Sequence, residues 1–215
     1  MSALDGARVR ENAARIRAEI DEAAARAGRD PADIELLAAV KYVGVEDLGA
    51  LVEAGITLFG ENRAQELQAK AAAQPDVRWH FIGQLQSRKV KQIVPLVELI
   101  HSVASDSALA QLERHGTPET EILVEVNVAG EEGKAGIAPG DLPAFLQRAP
   151  VRVVGLMGMP PFAEDPEASR PHFATLRELA AEHGLRHLSM GTSQDYAVAV
   201  EEGATIVRVG SVLFG

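Results

Sequence analysis

The sequence contains no cysteine, few aromatic residues and no long apolar run. The absence of cysteine excludes disulfides, thiolate metal sites and cysteine nucleophiles. Phe, Trp and Tyr together make up 4% of the 215 residues, and only two of them are tyrosines. No segment reaches the apolar length of a membrane-spanning helix. Residues 1–20 are charged where a signal peptide would be apolar. The sequence therefore favours a cytoplasmic protein.

Positive charge is also scarce. The chain has 21 Lys and Arg against 31 Asp and Glu, a formal net charge of -10. A field of this sign repels nucleic acids and anionic membranes, so we expect neither as a partner. The six histidines show no metal-ligand spacing, so no metal site is predicted. With no linker or low-complexity segment, we expect residues 1–215 to form a single domain.

The hydrophobic pattern predicts one leading helix followed by alternating strands and helices. Val9, Ala13, Ile16, Ile20 and Ala24 mark the apolar face of the leading helix. Strands are predicted at 34–40, 57–60, 77–83, 99–103, 121–128, 151–157, 186–190 and 205–210. Helices are predicted to begin near Val45, Arg63, Gln86, Asp106, Pro139, Pro166 and Ser193. Eight β/α units favour an α/β fold, a single-domain (β/α)8 TIM barrel; a doubly wound open sheet is the alternative.

Polar residues gather at the carboxyl ends of these strands, where barrel proteins carry their active sites. Lys41 ends the first strand, Asn62 follows the second, and Arg208 lies on the last. Further polar residues lie at the ends of the third, fourth and fifth strands: His80, Gln84, His101, Ser102 and Asn127. The pattern predicts a ring of polar groups around the barrel mouth.

Two turns in this ring suit a phosphate group. Gly191-Thr192-Ser193 leads into a predicted helix, whose first N–H groups are free to bind an anion. Gly210-Ser211 follows the last strand and allows close backbone approach. Either turn alone is more simply an N-cap or a chain reversal. Together with Lys41 in the same ring, they favour a phosphate site.

The apolar run before Lys41 predicts a lysine in apolar surroundings. Desolvation disfavours an ammonium and leaves an amine that forms a Schiff base with an aldehyde. The cofactor that combines an aldehyde with a phosphate is pyridoxal 5'-phosphate (PLP). The alternative is a strand-end lysine whose head reaches water.

Six segments resemble the pyridoxal phosphate homeostasis protein family, which is related to the alanine racemase N-terminal domain. They are "LLAAVK", "GENRAQE", "WHFIGQLQSRK", "EVNVAGEEGKAG", "GLMGM" and the closing stretch 188–215. The resemblance covers residues 36–215. It implies a single barrel domain that takes part in PLP (vitamin B6) homeostasis, with PLP-dependent apoenzymes as possible recipients and a monomeric state.

The resemblance also implies roles for individual residues. Lys41 matches the Schiff-base lysine, and Arg208 matches the arginine that faces the pyridine nitrogen. Other matches concern the phosphate grip and the neighbourhood of the ring: Ser193, Gly210 and Ser211 for the phosphate, Asn62 and Met190 for the ring. The chain departs from the family at Gln84, where histidine is common, and ends at Gly215, a few residues earlier than the resemblance leads us to expect.

The resemblance leaves two alternatives to a PLP carrier: an amino-acid racemase of the alanine type and a phosphate-sugar aldolase. Two-base racemisation needs a second acid/base, which in alanine racemase is a tyrosine on a second domain of a partner subunit. The only tyrosines here are Tyr42 and Tyr196. Tyr42 follows Lys41 directly and is expected on the opposite face of the strand. The sequence therefore favours a carrier without robust turnover.

Overall fold

The structure, a computed structural model, describes residues 4–215 as a closed barrel of eight parallel strands. The first strand pairs with both the second and the last, which closes the sheet and rules out the open alternative. The predicted (β/α)8 barrel is therefore confirmed. In chain order the strands are β1 Glu35–Ala39, β2 Leu58–Glu61, β3 Arg78–Phe81, β4 Leu99–Val103, β5 Glu121–Glu125, β6 Arg152–Met157, β7 His187–Ser189 and β8 Ile206–Val209.

Helices lie before, between and after the strands. Within residues 4–215 the α-helices are α1 Gly6–Arg26, α2 Leu48–Glu53, α3 Ala64–Ala73, α4 Val90–Ile93, α5 Asp106–His115, α6 Leu142–Arg148, α7 Arg170–Glu182, α8 Tyr196–Glu201 and α9 Ser211–Phe214. Four of them begin three to four residues after their predicted starts, because a short 3-10 turn comes first, as at Pro139–Asp141 and Pro166–Ser169.

Helix α1 lies where the barrel closes, against the helices that follow the first strand and the last two strands. Its predicted apolar face is buried and packs towards α2, α8 and α9. The side chain of Asp5 accepts hydrogen bonds from the N–H groups of Ala7 and Arg8 and caps the helix. Each large apolar residue on this face, such as Ile16, stabilises the packing by about 1.5–3 kcal/mol. No helix in the described part of the chain is both long and apolar enough to cross a membrane.

The barrel interior is built in layers that change from apolar to polar. The apolar layer consists of Leu37, Leu58, Leu99, Leu123, Met157 and Ile206. Side chains two residues apart share a face of a strand. The next inward positions towards the carboxyl ends are therefore Ala39, Gly60, His101, Glu125 and Arg208. This second layer contains charged and polar groups, so the barrel becomes polar directly beneath its mouth.

Candidate functional site

The turns that follow β7 and β8 meet at the barrel mouth. The backbone N–H of Gly210 donates to Ser193 Oγ over 3.1 Å. The N–H of Arg208 donates to the carbonyl of Gly191 over 3.0 Å. Ser211 is exposed and begins α9 directly after Gly210. The two sequence-predicted phosphate turns therefore form one small polar patch.

Helix α8 begins at Tyr196, three residues later than predicted from Ser193. Residues 192–195 form a turn closed by the Asp195 carboxylate, which accepts hydrogen bonds from Thr192 N over 2.7 Å and from Thr192 Oγ1 over 3.1 Å. Asp195 thus occupies the position before the helix that was expected for Ser193. The Ser193 hydroxyl is left to face the Gly210 turn.

Gly191 makes this turn possible. Its φ angle is 89°, in the left-handed region that favours glycine. A Cβ at this position would lie 2.6 Å from the Cβ of Ala199 in α8. Any larger residue would push α8 away from the end of β7, so the glycine keeps the two turns in contact.

Arg208 lies inside the barrel, as expected for a member of the predicted ring of polar groups around the barrel mouth. Its side chain is buried and donates to the Ser189 carbonyl over 2.8 Å and to the Gly158 carbonyl over 3.2 Å. Burial lowers the pKa of Arg208 to about 10, with Glu125 and Asp195 acting in the opposite direction. The guanidinium therefore remains a cation at neutral pH.

Of the two acidic residues that raise the pKa of Arg208, Glu125 has the larger effect. It is buried, and burial raises the pKa of its carboxyl, opposed by the charges of Arg208 and Lys134. This residue was not among the sequence-predicted site residues. The signal was present in β5, where Glu125 lies two positions after the inward Leu123 and so shares its face.

Two buried histidines continue the polar layer across the barrel. His101 Nδ1 lies 2.8 Å from Ser189 Oγ, and His101 Nε2 lies 3.0 Å from His80 Nδ1. Burial lowers the pKa of His80 to about 3 and that of His101 well below its ordinary value. Both imidazoles are therefore neutral at physiological pH.

Asn62 lies at the mouth beside the end of β3. Its backbone N–H donates to Glu61 Oε1 over 2.6 Å. A Cβ at Gly83 would lie 2.1 Å from the Asn62 carbonyl, so only glycine permits this crossing of chains. Asn62 Oδ1 is buried and has no hydrogen-bond partner within residues 4–215. An acceptor of this kind calls for a donor from a bound molecule or water.

Lys41 departs from its predicted environment. Strand β1 ends at Ala39, and residues 40–43 form a turn in which Val43 N donates to the Val40 carbonyl over 3.0 Å. Lys41 is exposed, and its Nζ lies 4.8 Å from the centroid of the Tyr42 ring. The predictions of an apolar pocket for Lys41 and of an opposite strand face for Tyr42 are both wrong, because the strand is shorter than its apolar run.

Met190 also lies apart from the other candidates. Its side chain is fully buried in the large apolar cluster that joins the barrel to its helices. The preceding residue, Ser189, points into the barrel instead. Alternation along β7 therefore turns the Met190 side chain outward, and a side-chain contact with a molecule in the mouth is not supported.

The sequence belongs to a known class of barrel. Residues 11–215 match the model of the alanine racemase N-terminal domain. An alanine racemase from Corynebacterium glutamicum has the same fold, with a TM-score of 0.72 and 13% identity over 99% of this chain and 61% of that one. The polar mouth and buried arginine thus sit in an alanine racemase-type barrel.

Proteins with similar sequences identify the family within this class of barrel. A pyridoxal phosphate homeostasis protein from Aquifex aeolicus is 42% identical over 95% of this chain and 96% of its own length. One from Pseudomonas aeruginosa is 40% identical over 96% and 95%. The chain belongs to the pyridoxal phosphate homeostasis protein family. A solved relative, PipY of Synechococcus elongatus with PLP bound, has a TM-score of 0.80 and 32% identity over 96% of this chain and all of that one.

Proposed function

We propose that this chain binds pyridoxal 5'-phosphate at its barrel mouth, holds it as a Schiff base on Lys41, and serves PLP homeostasis as a carrier. The observation that carries the proposal is the convergence of the Ser193 and Gly210 turns next to the buried Arg208. The PLP-bound PipY structure and the names of the relatives support the same ligand. When bound, PLP supplies an aldehyde for imine formation and a ring that withdraws electrons.

The phosphate fits the patch between the last two turns. Ser193 Oγ has its own proton available as a donor because it accepts the Gly210 N–H. The backbone N–H of Ser211, at the start of α9, adds a second donor, and Gly210, whose own N–H is bonded to Ser193, has no side chain to obstruct the phosphate. We expect Ser193, Gly210 and Ser211 to hold the phosphate together.

The ring fits above the polar layer. Arg208 is a buried cation that carries only donors, so it disfavours protonation of a pyridine nitrogen that it faces. Asn62 offers a buried acceptor without a partner in the described residues, which suits a donor group on the ligand. These two side chains approach the mouth from β8 and β2, on either side of the end of β1.

Lys41 has to turn inward from its exposed position to reach this site. The inward positions of β1 are Leu37 and Ala39, and Lys41 follows Ala39 by two residues, in the turn that begins where the strand ends. A Cβ at Gly210 would lie 3.6 Å from the Cβ of Ala39, so the inward face of β1 adjoins the phosphate turn. A rotation of the Lys41 side chain away from Tyr42 would therefore bring Nζ towards the mouth.

A carrier fits the acid–base groups better than a racemase does. Tyr196 is buried, its hydroxyl bonds to Glu19 of α1, and burial raises its pKa, so it is committed outside the mouth. Tyr42 is the only other tyrosine of the chain, and its ring lies 4.8 Å from Lys41 Nζ, so it is on the lysine's own side of the site, whereas a second base has to lie opposite the lysine. We infer that the second base of a racemase is lacking and that PLP is held for transfer to PLP-dependent apoenzymes by a monomer.

Spectroscopic titration with PLP tests the binding proposal. We expect a visible absorbance band that disappears on borohydride treatment, and competition by inorganic phosphate. A matched titration with pyridoxal, which has the aldehyde but no phosphate, should show much weaker binding. Equal binding of PLP and pyridoxal would contradict the phosphate assignment, and the absence of any visible band would contradict the Schiff base.

Deuterium exchange into L- and D-alanine tests the carrier proposal. Loss of one of two bases should cost about 10²–10⁴-fold in rate. We therefore expect slow exchange into one enantiomer without inversion, and none above background in Lys41→Ala. Racemisation in the ordinary enzyme range of about 1–10³ per second would contradict a carrier.

A further inference from the structure

The buried polar groups inside the barrel form a single row between its two ends. The row runs from Arg208 through Ser189 and His101 to His80. All four residues are buried. At the far end of the row, His80 Nε2 lies 4.0 Å from the carboxylate of Glu98. Glu98 is half exposed and lies at the amino end of β4. The site proposed above uses only Arg208 from this row.

The donor and acceptor in each hydrogen bond of the row can be assigned from Arg208, because its guanidinium cannot accept a hydrogen bond. A guanidinium only donates, so Arg208 donates to Ser189 Oγ. Within residues 4–215, the only other partner of that hydroxyl is His101 Nδ1, at 2.8 Å. A buried hydroxyl without an acceptor would be costly, so its proton points to His101 Nδ1. His101 therefore carries its own proton on Nε2.

The same reasoning continues along the row. His101 Nε2–H donates to His80 Nδ1 over 3.0 Å, so His80 carries its proton on Nε2 as well. That proton faces the Glu98 carboxylate. The opposite direction would leave a lone pair of His80 facing a carboxylate and the hydroxyl of Ser189 without an acceptor. Both ends of the row thus select the same direction.

We propose that His80, His101 and Ser189 form a one-way hydrogen-bond chain that fixes the orientation of Arg208, with both imidazoles in the Nε2–H tautomer. The charged and titratable groups that face the two rings are Arg78, His187, Arg208 and Glu98. Burial and the first three of these keep both rings neutral. The three residues are positioning residues, since they act on a bound ring only through Arg208. That last consequence rests on the proposed function; the tautomers do not.

The tautomers are measured on the protein without ligand. In a spectrum correlating histidine ring nitrogens with ring protons, we expect both residues to show a protonated Nε2 and a bare Nδ1 from pH 6 to pH 8. The variants His80→Gln and His101→Gln assign the signals. A protonated Nδ1 on His101, or a charged ring in this range, would overturn the proposal whether or not the protein binds PLP.

The effect on Arg208 is measured with a matched pair of variants on the PLP-loaded protein. In His101→Gln, the amide oxygen accepts from Ser189 and the amide N–H donates to His80, so the chain is preserved. His101→Leu removes both bonds. We expect the glutamine variant to retain the wild-type visible spectrum and affinity. The leucine variant should bind PLP about tenfold more weakly, with a shifted band, as for the loss of one hydrogen bond to a charged group.

Unchanged spectrum and affinity in a folded His101→Leu variant would overturn the positioning role. So would equal losses in the glutamine and leucine variants with parallel losses of stability, since these indicate packing alone. Where the leucine variant does not fold, Ser189→Ala gives the same comparison, because it breaks the chain next to Arg208 with little change in volume. An unchanged spectrum in Ser189→Ala would likewise contradict the proposal.

Discussion

Two lysines lie near the end of β1, and their surroundings differ in every respect. Lys41 is exposed, its Nζ lies 4.8 Å from the centroid of the Tyr42 ring, and it makes no hydrogen bond or ion pair within the described residues. Lys70 of α3 is 3% exposed. It donates to the Val40 carbonyl over 2.7 Å and forms ion pairs with Glu61 and Glu66.

The difference separates a lysine with a structural role from the lysine that we propose for the Schiff base. The three N–H bonds of Lys70 are all used, and they tie α3 to the ends of β1 and β2. A committed ammonium of this kind has no free electron pair to offer an aldehyde. Lys41 lies one residue after Val40, whose carbonyl Lys70 holds. Burial alone would therefore point to Lys70 and away from Lys41, the lysine that we propose for the Schiff base.

The largest expected effect is the loss of the visible absorbance band when Lys41 is replaced. Lys41→Ala should abolish the visible band of the PLP-loaded protein, because it removes the proposed imine nitrogen. Its free energy of unfolding should change by less than about 0.5 kcal/mol, since an exposed side chain without partners is lost. Absorbance titration and urea unfolding give the two values. Lys91→Ala, an exposed lysine of α4, is the control, and a retained band in Lys41→Ala would reverse the assignment.

The next largest effect is on the Lys70 side. Lys70→Met leaves Glu61 buried without its cation, and breaking a buried pair in this way costs about 3–5 kcal/mol. Urea unfolding at neutral pH measures the loss, with Lys91→Met as the control for an exposed lysine. A loss below about 1 kcal/mol would mean that Lys70 does not hold the strand ends, and the contrast between the two lysines would disappear.

A smaller effect is expected at the phosphate turns. Ser193→Ala removes one hydrogen bond to a doubly charged group, worth about 1.5–3 kcal/mol, so PLP should bind about 10–100-fold more weakly. The visible band should survive at saturation, because Lys41 is untouched. Ser107→Ala, on the exposed first turn of α5, serves as the control. Wild-type affinity in Ser193→Ala would remove Ser193 from the phosphate grip.

The smallest effect is a pH dependence of stability from the buried histidines. The pKa of His80 is lowered to about 3, so below the ordinary value of 6.5 the unfolded chain binds a proton that the folded chain does not. Stability should therefore fall as the pH falls below 6.5, by up to about 1.4 kcal/mol per pH unit for each such histidine. Glu125, with its raised pKa, acts in the opposite sense.

Urea unfolding of the wild type and His80→Gln between pH 7 and pH 5 isolates the histidine contribution. The variant should lose stability less steeply than the wild type as the pH falls. If the free energy of unfolding fell equally with pH in both proteins, His80 would have to be protonated in the folded protein. The polar interior would then be more accessible to water than its burial indicates.

The barrel and the position of the two turns after β7 and β8 were predictable because they depend on local patterns. The apolar runs separated by Gly and Pro gave all eight strands, and the turns at Gly191 and Gly210 follow from their positions after β7 and β8. The surroundings of Lys41 were not predictable, because the apolar run that ends at Val40 continues beyond the last strand residue, Ala39. Val40 is nevertheless buried, and its carbonyl accepts a hydrogen bond from Lys70 of α3, a contact between distant residues.

The sequence predicted Arg208 in the mouth but not what holds it. Ser189 and Glu125 lie in segments that resemble the family, but their roles beside Arg208 depend on a closed barrel that brings β4, β5, β7 and β8 around one axis. Met190 was assigned to the site by resemblance, whereas alternation along β7 gives the inward position to Ser189. Neighbouring residues of a strand face opposite sides of the sheet, so the register of β7 determines whether Ser189 or Met190 faces the barrel interior.

The most direct test of the central claim is to reduce the PLP-loaded protein with borohydride and locate the pyridoxyl group by peptide mass spectrometry. Our account predicts one modified lysine, Lys41, and loss of all modification in Lys41→Ala. Modification of Lys70, or of Lys134 beside Glu125, with Lys41 unmodified would contradict it.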